Sequence, residues 1–230
     1  RKVNGNEDSI QGSYLGPDYS RKEIMAMNRQ AKAVYTEAEN WEDLYTNIAQ
    51  SLVEGKVVGW FQGRMEFGPR ALGNRSILGD PTIPEMQKTL NLKIKQREGF
   101  RPFAPAVRAE DSMEFFDLQQ DSPYMLTTTG VQEKIRAQLP ENYFDLPLLE
   151  RLYIPRSELQ AITHLDFSAR VQTVSDKTNP KFWHLLGEVK KRNGKGVLVN
   201  TSFNVRGEPI VCSPEDAFRC FMNTEMDILV

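Results

Sequence analysis

Apolar and polar positions alternate along this chain with a helical period in some stretches and a strand-like period in others. Ser20 and Glu23 have the spacing of a capping box, and Asn40 is a good N-cap for the apolar stripe that follows it. Thr82 and Glu85 predict a further capping box. The predicted helices cover residues 21–30, 41–54, 84–97, 110–116, 180–193 and 214–223.

Short apolar runs between these helices predict strands. They cover residues 56–61, 76–78, 103–107, 124–129, 169–174, 196–200 and 227–230. Strands that alternate with helices are typical of the α/β class, and the early hairpin-like pair of strands favours a mixed sheet. Residues 130–160 contain several X-Pro steps, which disfavour regular helix, so we expect an irregular excursion there that still carries apolar side chains.

Composition is that of an ordinary globular protein: 230 residues, 40% of them hydrophobic, with a net charge of −2. The balance of charge gives no general attraction to nucleic acid, and no apolar run is long enough to span a membrane. Two cysteines without a CxxC pattern favour a reducing cytoplasm. Both ends look cut, since the chain starts without Met and stops within a predicted strand, so we expect a piece of a larger protein.

Positive charge is concentrated locally. Residues 64–108 contain nine Lys or Arg against four Asp or Glu. Within them Arg64, Arg70 and Arg75 lie in a loop shaped by glycine and proline, and rigidly held guanidinium groups suit a planar oxyanion such as phosphate, carboxylate or carbamate. An ordinary surface loop is the alternative interpretation.

Two further segments have a similar character. In residues 93–105 cations leave the end of a predicted helix, where capping of the helix dipole explains them equally well, although Arg101 lies between apolar residues. Residues 199–209 follow a buried strand and offer short polar side chains at the edge where α/β sheets bind ligands. Turn formation is the alternative there.

Weaker signals come from three residues. Arg170 would need an anionic partner if it faced inward, and would carry no information if it faced water. His164 and Asp166 share one face of a strand, an arrangement that is more often structural than metal-binding. The sequence has no P-loop, dinucleotide fingerprint or nucleophile elbow, so it predicts a polycationic pocket that acts by positioning and charge neutralisation, as phosphoryl and nucleotidyl transfer require.

Five stretches resemble one known family, the C-terminal YrdC-like domain of the O-carbamoyltransferases of nodulation and antibiotic biosynthesis. They are LGPDYS at 15–20, EFGPRALGNRSIL at 66–78, KQREGFRPFAP at 95–105, HLDFSARVQTV at 164–174 and NTSFNVRGEPIV at 200–211. One departure is Phe167-Ser168, where the family usually has Gly-Thr. The resemblance implies an α/β fold with a YrdC-like twisted mixed sheet flanked by helices, in a single domain with the irregular excursion near 130–160.

The resemblance also implies an activity. Such a domain takes ATP and carbamoyl phosphate and forms carbamoyl-adenylate, and a metal-holding Kae1-like N-terminal domain then passes the carbamoyl group to a hydroxyl. Residues 1–40 would be the lead-in from that missing domain, 41–230 would be the YrdC-like domain, and a homodimer is plausible. Mg²⁺ would arrive with ATP, and iron or another metal would belong only to the missing domain.

Site residues follow from the resemblance by position. The implied catalytic residues are Arg70, Lys95, Arg170 and Ser202. The implied cofactor-binding residues are Arg75, Arg101, Asn200, Thr201 and Asn204. Two alternatives stay open: a threonylcarbamoyl-adenylate synthase that serves tRNA modification, and a non-catalytic module that binds nucleotide or RNA.

Overall fold

The computed structural model describes residues 10–230, which form seven α-helices and seven strands. The helices are α1 (Arg21–Ala31), α2 (Trp41–Val53), α3 (Met86–Thr89), α4 (Ser112–Phe115), α5 (Leu148–Tyr153), α6 (Pro180–Asn193) and α7 (Pro214–Met222). The strands are β1 (Val58–Phe61), β2 (Arg75–Gly79), β3 (Ala104–Arg108), β4 (Thr127–Gly130), β5 (Ser168–Val174), β6 (Val197–Ser202) and β7 (Ile228–Leu229).

All seven strands join one mixed sheet in the order β4-β5-β3-β6-β2-β1-β7. The pairs β1–β7 and β3–β5 are parallel, and the other four pairs are antiparallel. β6 therefore lies at the centre between β2 and β3. Its register places Asn200 beside Leu78 on one side and beside Ala104 on the other.

Helices cover both faces of the sheet. On one face α2 and α6 pack over Val58, Trp60, Leu78, Ala106 and Leu198. On the opposite face α3, the turn after it and α7 pack over the alternate residues of the same strands, which include Ile77, Val197 and Val199. This division follows from the two-residue period of the strands, because side chains that are neighbours in sequence point to opposite faces.

Most predicted elements are confirmed within two or three residues. Capping boxes occur at Ser20 and at Ser213, and Asn40 caps α2 through the backbone N–H of Asp43. The prediction of a capping box at Thr82 was wrong. The Thr82 hydroxyl and N–H both donate to Asp80 Oδ1 at 2.7 and 2.8 Å, which makes a turn instead of a helix start.

The predicted helix over 84–97 was also wrong in its second half. α3 ends at Thr89, and residues 90–94 form a π-turn in which the Lys95 N–H donates to Leu90 O at 2.9 Å. The apolar stripe of Met86, Leu90 and Ile94 is nevertheless buried, so the periodicity identified the core face correctly. The π-turn inserts one extra residue and changes the direction in which Lys95 leaves the helix.

Two other boundaries differ from expectation. The strand predicted at 124–129 begins only at Thr127, because Tyr124 and Met125 form a turn in which Met125 has a φ of 55°. β6 extends to Ser202, so Asn200, Thr201 and Ser202 belong to the strand itself. Residues 131–160 contain short 3₁₀ turns, α5 and isolated bridges at Val131 and between Arg136 and Ser157, in line with the irregular excursion expected over 130–160.

The segment predicted as a lead-in, residues 1–40, lies partly outside the described residues. From its described part, Tyr14 donates to Leu72 O at 2.8 Å, and Gly16 N donates to Met65 O at 2.9 Å. Whether this segment connects to another domain stays a prediction. Among the helices of residues 10–230, none is long and apolar enough to cross a membrane.

Candidate functional site

Lys95 lies at the centre of a polar cluster at the end of β6, which includes Ser202 and Asn204. Its Nζ donates to Asn204 Oδ1 at 2.8 Å, to Asn204 O at 3.0 Å and to Ser202 Oγ at 3.2 Å, and it also contacts Ser202 O. Ser202 Oγ in turn donates to Asn204 Oδ1 at 2.7 Å. The ammonium group thus holds the turn after β6 in place through acceptors that are all uncharged.

Burial is the largest influence on the pKa of the Lys95 ammonium group. The residue is 6% exposed, and this burial, with a smaller effect from the charge of Arg97, lowers the pKa of Lys95 from 10.5 to about 7. Cys220 lies close below, and burial raises the pKa of its thiol to about 11, so it stays neutral. Lys95 can therefore gain or lose its charge near neutral pH, and an anion bound beside it would favour the charged form.

An open groove of about 270 Å³ lies next to Lys95. The residues that line this Lys95 groove come from the segment after the π-turn and from the turn after β6; they are Lys95, Arg97, Glu98, Arg101, Thr201, Ser202, Asn204, Val205, Arg206 and Gly207. Four of the ten are cations, and the single carboxylate, Glu98, is paired with Arg101 at 2.9 Å. The groove thus keeps an excess of positive charge.

The arginine loop before β2 is organised by one buried carboxylate. Glu66 Oε1 accepts the backbone N–H groups of Leu72, Asn74 and Arg75 at 2.6, 2.8 and 3.2 Å. Gly73 has a φ of 105°, and a Cβ there would lie 2.3 Å from the Phe182 ring, so only glycine fits. The rigidity expected from the glycine and proline content of this loop is thus real.

Arg75 faces into the protein. It is fully buried, its guanidinium lies 3.7 Å from the Phe61 ring centroid, and it donates to the carbonyls of Gln62, Asn74 and Pro17 at 2.8, 2.9 and 3.2 Å. These contacts tie the arginine loop and the segment before α1 to β2. Arg75 is not among the lining residues of the Lys95 groove.

Arg70 and Arg170 form a second cationic group. Burial lowers the pKa of Arg170, and the charge of Arg70 lowers it further, which identifies the two as neighbours. The Nε atoms of both are buried, and within residues 10–230 neither has a hydrogen-bond partner. Arg170 Nη2 contacts the sulfur of Met125, at 3.9 Å. The pair thus retains donors that could serve an anion.

Asn200 lies on the same face of the sheet as Arg170. Two residues along β5 from Arg170, the Gln172 side chain accepts from Asn200 Nδ2 at 2.6 Å and donates to Leu72 O at 2.8 Å. Asn200 Nδ2 also reaches Ala71 O at 3.2 Å. This network joins β5 and β6 to the end of the arginine loop. Thr201 faces the other side, since it alternates with Asn200 along the strand.

Comparison with known proteins decides the family. The family model described as "Carbamoyltransferase C-terminus" matches residues 49–230. The chain belongs to this carbamoyltransferase C-terminal family. It is 56% identical over 225 residues to an uncharacterized protein of Synechocystis sp., of which it covers 36%, while 97% of the chain is matched.

Another relative of this carbamoyltransferase C-terminal domain has a named activity. The 3'-hydroxymethylcephem-O-carbamoyltransferase of Amycolatopsis lactamdurans is 41% identical over 167 residues, which cover 73% of the chain and 28% of that protein. The domain thus spans about a third of the length of the curated relatives it matches.

A solved structure shares the fold. Full-length HypF in its phosphate- and nucleotide-bound form matches 81% of the domain and 24% of its own chain, with a TM-score of 0.51 at 18% identity. The similarity supports the fold alone, and it confirms the predicted α/β fold with a YrdC-like mixed sheet. The predicted resemblance to the O-carbamoyltransferases is confirmed by the family match.

The predicted site residues of the carbamoyltransferase domain are divided between different places. Five of them line the Lys95 groove: Lys95, Arg101, Thr201, Ser202 and Asn204. Arg70, Arg170 and Asn200 belong to the second group on the sheet face beside β5, and Arg75 lies in neither. The lining of the Lys95 groove therefore includes only part of the predicted set. The binding role of each residue stays a prediction.

Several residues in this site were not predicted. Arg97 and Arg206 line the groove, buried Asn91 supports the segment that carries Arg97 and Arg101, and buried Glu66 supports the arginine loop. Arg97 was visible only as a member of a basic helix end, and Asn91 had no signal, because a lone asparagine on a helix is unremarkable in sequence. His164 and Asp166 both contact Ser168 Oγ, at 3.1 and 2.6 Å, which closes a tight turn before β5.

Proposed function

We propose that this domain forms carbamoyl-adenylate from ATP and carbamoyl phosphate, for transfer of the carbamoyl group to a hydroxyl by another domain of the same polypeptide. The observation that carries the proposal is the Lys95 groove, in which four cations face one carboxylate that is already paired. Uncompensated cations on rigid segments suit an anionic ligand with several phosphates.

The groove fits a nucleotide triphosphate in charge and in donors. Arg97, Arg101 and Arg206 can contact phosphate oxygens with several N–H groups each. Because burial lowers the pKa of Lys95 to about 7, a bound anion would favour the charged form of this lysine as well. The Thr201 hydroxyl lies in the groove wall as well. HypF, which shares the fold, was solved with phosphate and a nucleotide bound.

The Arg70–Arg170 pair is the proposed place for carbamoyl phosphate. Two neighbouring guanidinium groups with free buried donors are costly to hold together unless an anion completes them. A doubly charged phosphate group meets that need. The relative with a named activity, 3'-hydroxymethylcephem-O-carbamoyltransferase, is named for the transfer of a carbamoyl group, which is the group that carbamoyl phosphate carries.

The proposed step is an in-line displacement. Water first cleaves carbamoyl phosphate into carbamate and inorganic phosphate. An oxygen of the carbamate then attacks the α-phosphorus of ATP, the bond from that phosphorus to the oxygen bridging to the β-phosphorus breaks, and pyrophosphate leaves as carbamoyl-adenylate forms. Charge builds on the oxygens around the α-phosphorus, and Lys95 with the groove arginines would neutralise it. Ser202 and Asn204 would orient the reacting groups by hydrogen bonds, so the domain needs no covalent nucleophile.

Magnesium fits this scheme only as a companion of ATP. Within residues 10–230 no cluster of three or more His, Cys, Asp or Glu side chains could hold a metal ion, and Glu98 is paired with Arg101. Phosphate oxygens would therefore supply its ligands, and the bound ion would offset part of the phosphate charge.

Calorimetric titration with ATP and Mg²⁺ tests the proposed site. Lys95→Ala and Arg97→Ala should each weaken binding roughly tenfold or more, because each removes a charge-assisted contact. Lys93→Ala is the matched control: this exposed lysine is two residues away and pairs with Glu225 at 3.0 Å, outside the groove. Equal affinities in all four proteins would refute the nucleotide site.

Product analysis by mass spectrometry tests the reaction. Carbamoyl phosphate should support pyrophosphate release from ATP. Arg70→Ala should abolish the release that carbamoyl phosphate supports, while the affinity for ATP stays within about twofold of the wild type. Threonine with bicarbonate in place of carbamoyl phosphate is the comparison. If only that mixture gave an adenylate, the domain would be a threonylcarbamoyl-adenylate synthase.

A further inference from the structure

Asn91 lies behind the Lys95 groove, on the π-turn, with no exposed surface. Its side chain makes three hydrogen bonds to the segment that forms one groove wall. Arg97 Nε donates to Asn91 Oδ1 at 2.6 Å, and Asn91 Nδ2 donates to Gly99 O at 3.1 Å and to Arg101 O at 2.8 Å. A single buried amide thus contacts three residues of that wall.

The orientation of this amide is fixed by its partners. A guanidinium N–H can only donate, and backbone carbonyls can only accept, so exchange of Oδ1 with Nδ2 would break all three bonds at once. Both Nδ2 protons and one Oδ1 lone pair are used. Asn91 therefore recognises both the Arg97 side chain and the path of the backbone that follows it.

The wall segment has few bonds of its own. Gln96 has a φ of 48°, and the turn from Glu98 O to Arg101 N is closed by a long bond of 3.4 Å. The Arg97 N–H also donates to the backbone carbonyl of Asn91 at 3.0 Å. The other core side chain that supports the wall is Gln87, whose Nε2 donates to Phe100 O at 2.6 Å. Two buried side-chain amides thus help to position the wall, and of these two only Asn91 touches a groove cation.

Arg97 is held among other cations. Burial and the charge of Arg101 lower the pKa of Arg97, and the charge of Arg97 in turn lowers the pKa of Lys95. Within residues 10–230 no carboxylate forms a salt bridge with Arg97. Its fixed contacts are the Asn91 oxygen and the ring of Phe103, whose centroid lies 4.8 Å away.

A carboxylate at position 91 would hold Arg97 at least as firmly, but it would cancel its charge. The neutral amide holds the guanidinium and leaves its charge available. We propose that Asn91 is a positioning residue that fixes Arg97 beside Lys95 without neutralising it, and so sets the anion affinity of the groove. This inference rests on the proposed nucleotide site and assigns it a support residue.

Asn91→Asp and Asn91→Leu test this role, with inorganic tripolyphosphate as the probe and calorimetry over a range of pH. In the wild type, affinity should fall as pH rises through about 7, where Lys95 loses its proton. Asn91→Asp should weaken binding roughly tenfold near neutral pH. We call the pH at which the affinity for tripolyphosphate has fallen halfway the midpoint. In both variants this midpoint should move to higher pH by about one unit, because the cation beside Lys95 is neutralised in one variant and displaced in the other.

Other charged groups near Lys95 are unchanged in these variants. They are Glu98, Arg101 and Arg206 in the groove, with the neutral thiol of Cys220 below. The ionisation of tripolyphosphate itself is common to all the proteins, so only differences from the wild type count. Gln87→Leu is the matched control, since it removes a buried bond to the same wall without touching a cation, and should lower thermal stability with no change of midpoint.

Three results would overturn the inference. The first is an Asn91→Asp variant whose affinity and midpoint equal those of the wild type. The second is a midpoint shift in Gln87→Leu as large as that in the Asn91 variants, which would make the effect purely structural. If neither Asn91 variant folds, Arg97→Met replaces them as the test, because loss of the cation itself must raise the midpoint. The third result is an unchanged midpoint in Arg97→Met. Failure of the wild type to bind either tripolyphosphate or ATP would instead refute the proposed function.

Discussion

At the scale of single residues, the site depends on charged groups that are held away from water. Lys95 has acceptors for its protons, yet all of them are uncharged, so they replace only part of the lost hydration and a bound anion would supply the missing opposite charge. A buried cation of this kind lowers the stability of the free protein and becomes favourable when its ligand binds. We take this as the physical basis of the low pKa of Lys95.

The pH dependence of stability should reveal this lysine. Because the pKa of Lys95 is about 7 in the folded chain and 10.5 for a lysine side chain surrounded by water, the unfolded state binds the extra proton between those values. Wild-type stability relative to Lys95→Met should therefore rise as pH increases from about 7 towards 10.5. Urea denaturation of both proteins across that interval measures the difference.

A constant difference across the interval would show that Lys95 keeps an ordinary pKa. Lys93→Met provides the control, since Lys93 is an exposed lysine two residues away that pairs with Glu225.

Glu66 is a second buried charged residue, and it stabilises the arginine loop. It accepts three backbone N–H groups of the arginine loop, which would otherwise lack partners. Glu66→Ala should lower the free energy of unfolding by about 3 kcal/mol, and Glu66→Gln should lower it less, because an amide oxygen still accepts. Chemical denaturation gives both values. Glu37→Ala, which breaks only an exposed pair with Arg21, should change little, and an equally small effect of Glu66→Ala would contradict the assigned role.

At the scale of elements, β2 is anchored at its start by Arg75. The guanidinium reaches carbonyls on two sides, those of Gln62 and Gly63 and that of Pro17, which one ammonium group cannot do. Arg75→Lys should therefore destabilise the fold by about 2 kcal/mol although the charge is kept. Thermal unfolding measures this loss.

The same variant separates a structural role of Arg75 from the predicted binding role. If Arg75 only supports β2, ATP affinity of the folded Arg75→Lys protein should stay within about twofold of the wild type. Arg64→Lys is the control, because the exposed Arg64 side chain makes one hydrogen bond within residues 10–230, of 3.2 Å to Leu15 O. A large loss of affinity without a loss of stability would favour direct binding.

At the scale of the whole molecule, residues 10–20, the described part of the segment before α1, are part of the folded body. Tyr14 donates to Leu72 O and accepts from Asn179 Nδ2 at 3.0 Å, and burial raises the pKa of its hydroxyl. Removal of residues 1–40 should therefore destabilise the domain by several times the cost of Tyr14→Phe, which we expect to be about 1–2 kcal/mol. Urea denaturation of the two proteins gives the comparison.

An unchanged stability of the shortened chain would show that residues 41–230 fold independently, as the predicted domain boundary implies. The boundary is thus open to direct measurement.

Much of the architecture could be predicted from the sequence because it depends on local rules. The caps at Ser20, Asn40 and Ser213 involve residues three positions apart, and α6 has its proline, stripe and glycine in the expected order. The π-turn could not be predicted from local pattern. It directs Lys95 towards the turn after β6, and that contact joins residues about a hundred positions apart in the sequence.

The sequence by itself determined the class of the fold, the cation-rich segments and the family, because periodicity, caps and long motifs are written in consecutive residues. Only the tertiary structure decided how those cations are distributed. Strand register places Asn200 with Arg170 on one face, while Lys95 meets Ser202 at the end of β6 and Arg75 turns inward. Which side chains share a site depends on register and packing between strands far apart in sequence, and no local pattern contains that information.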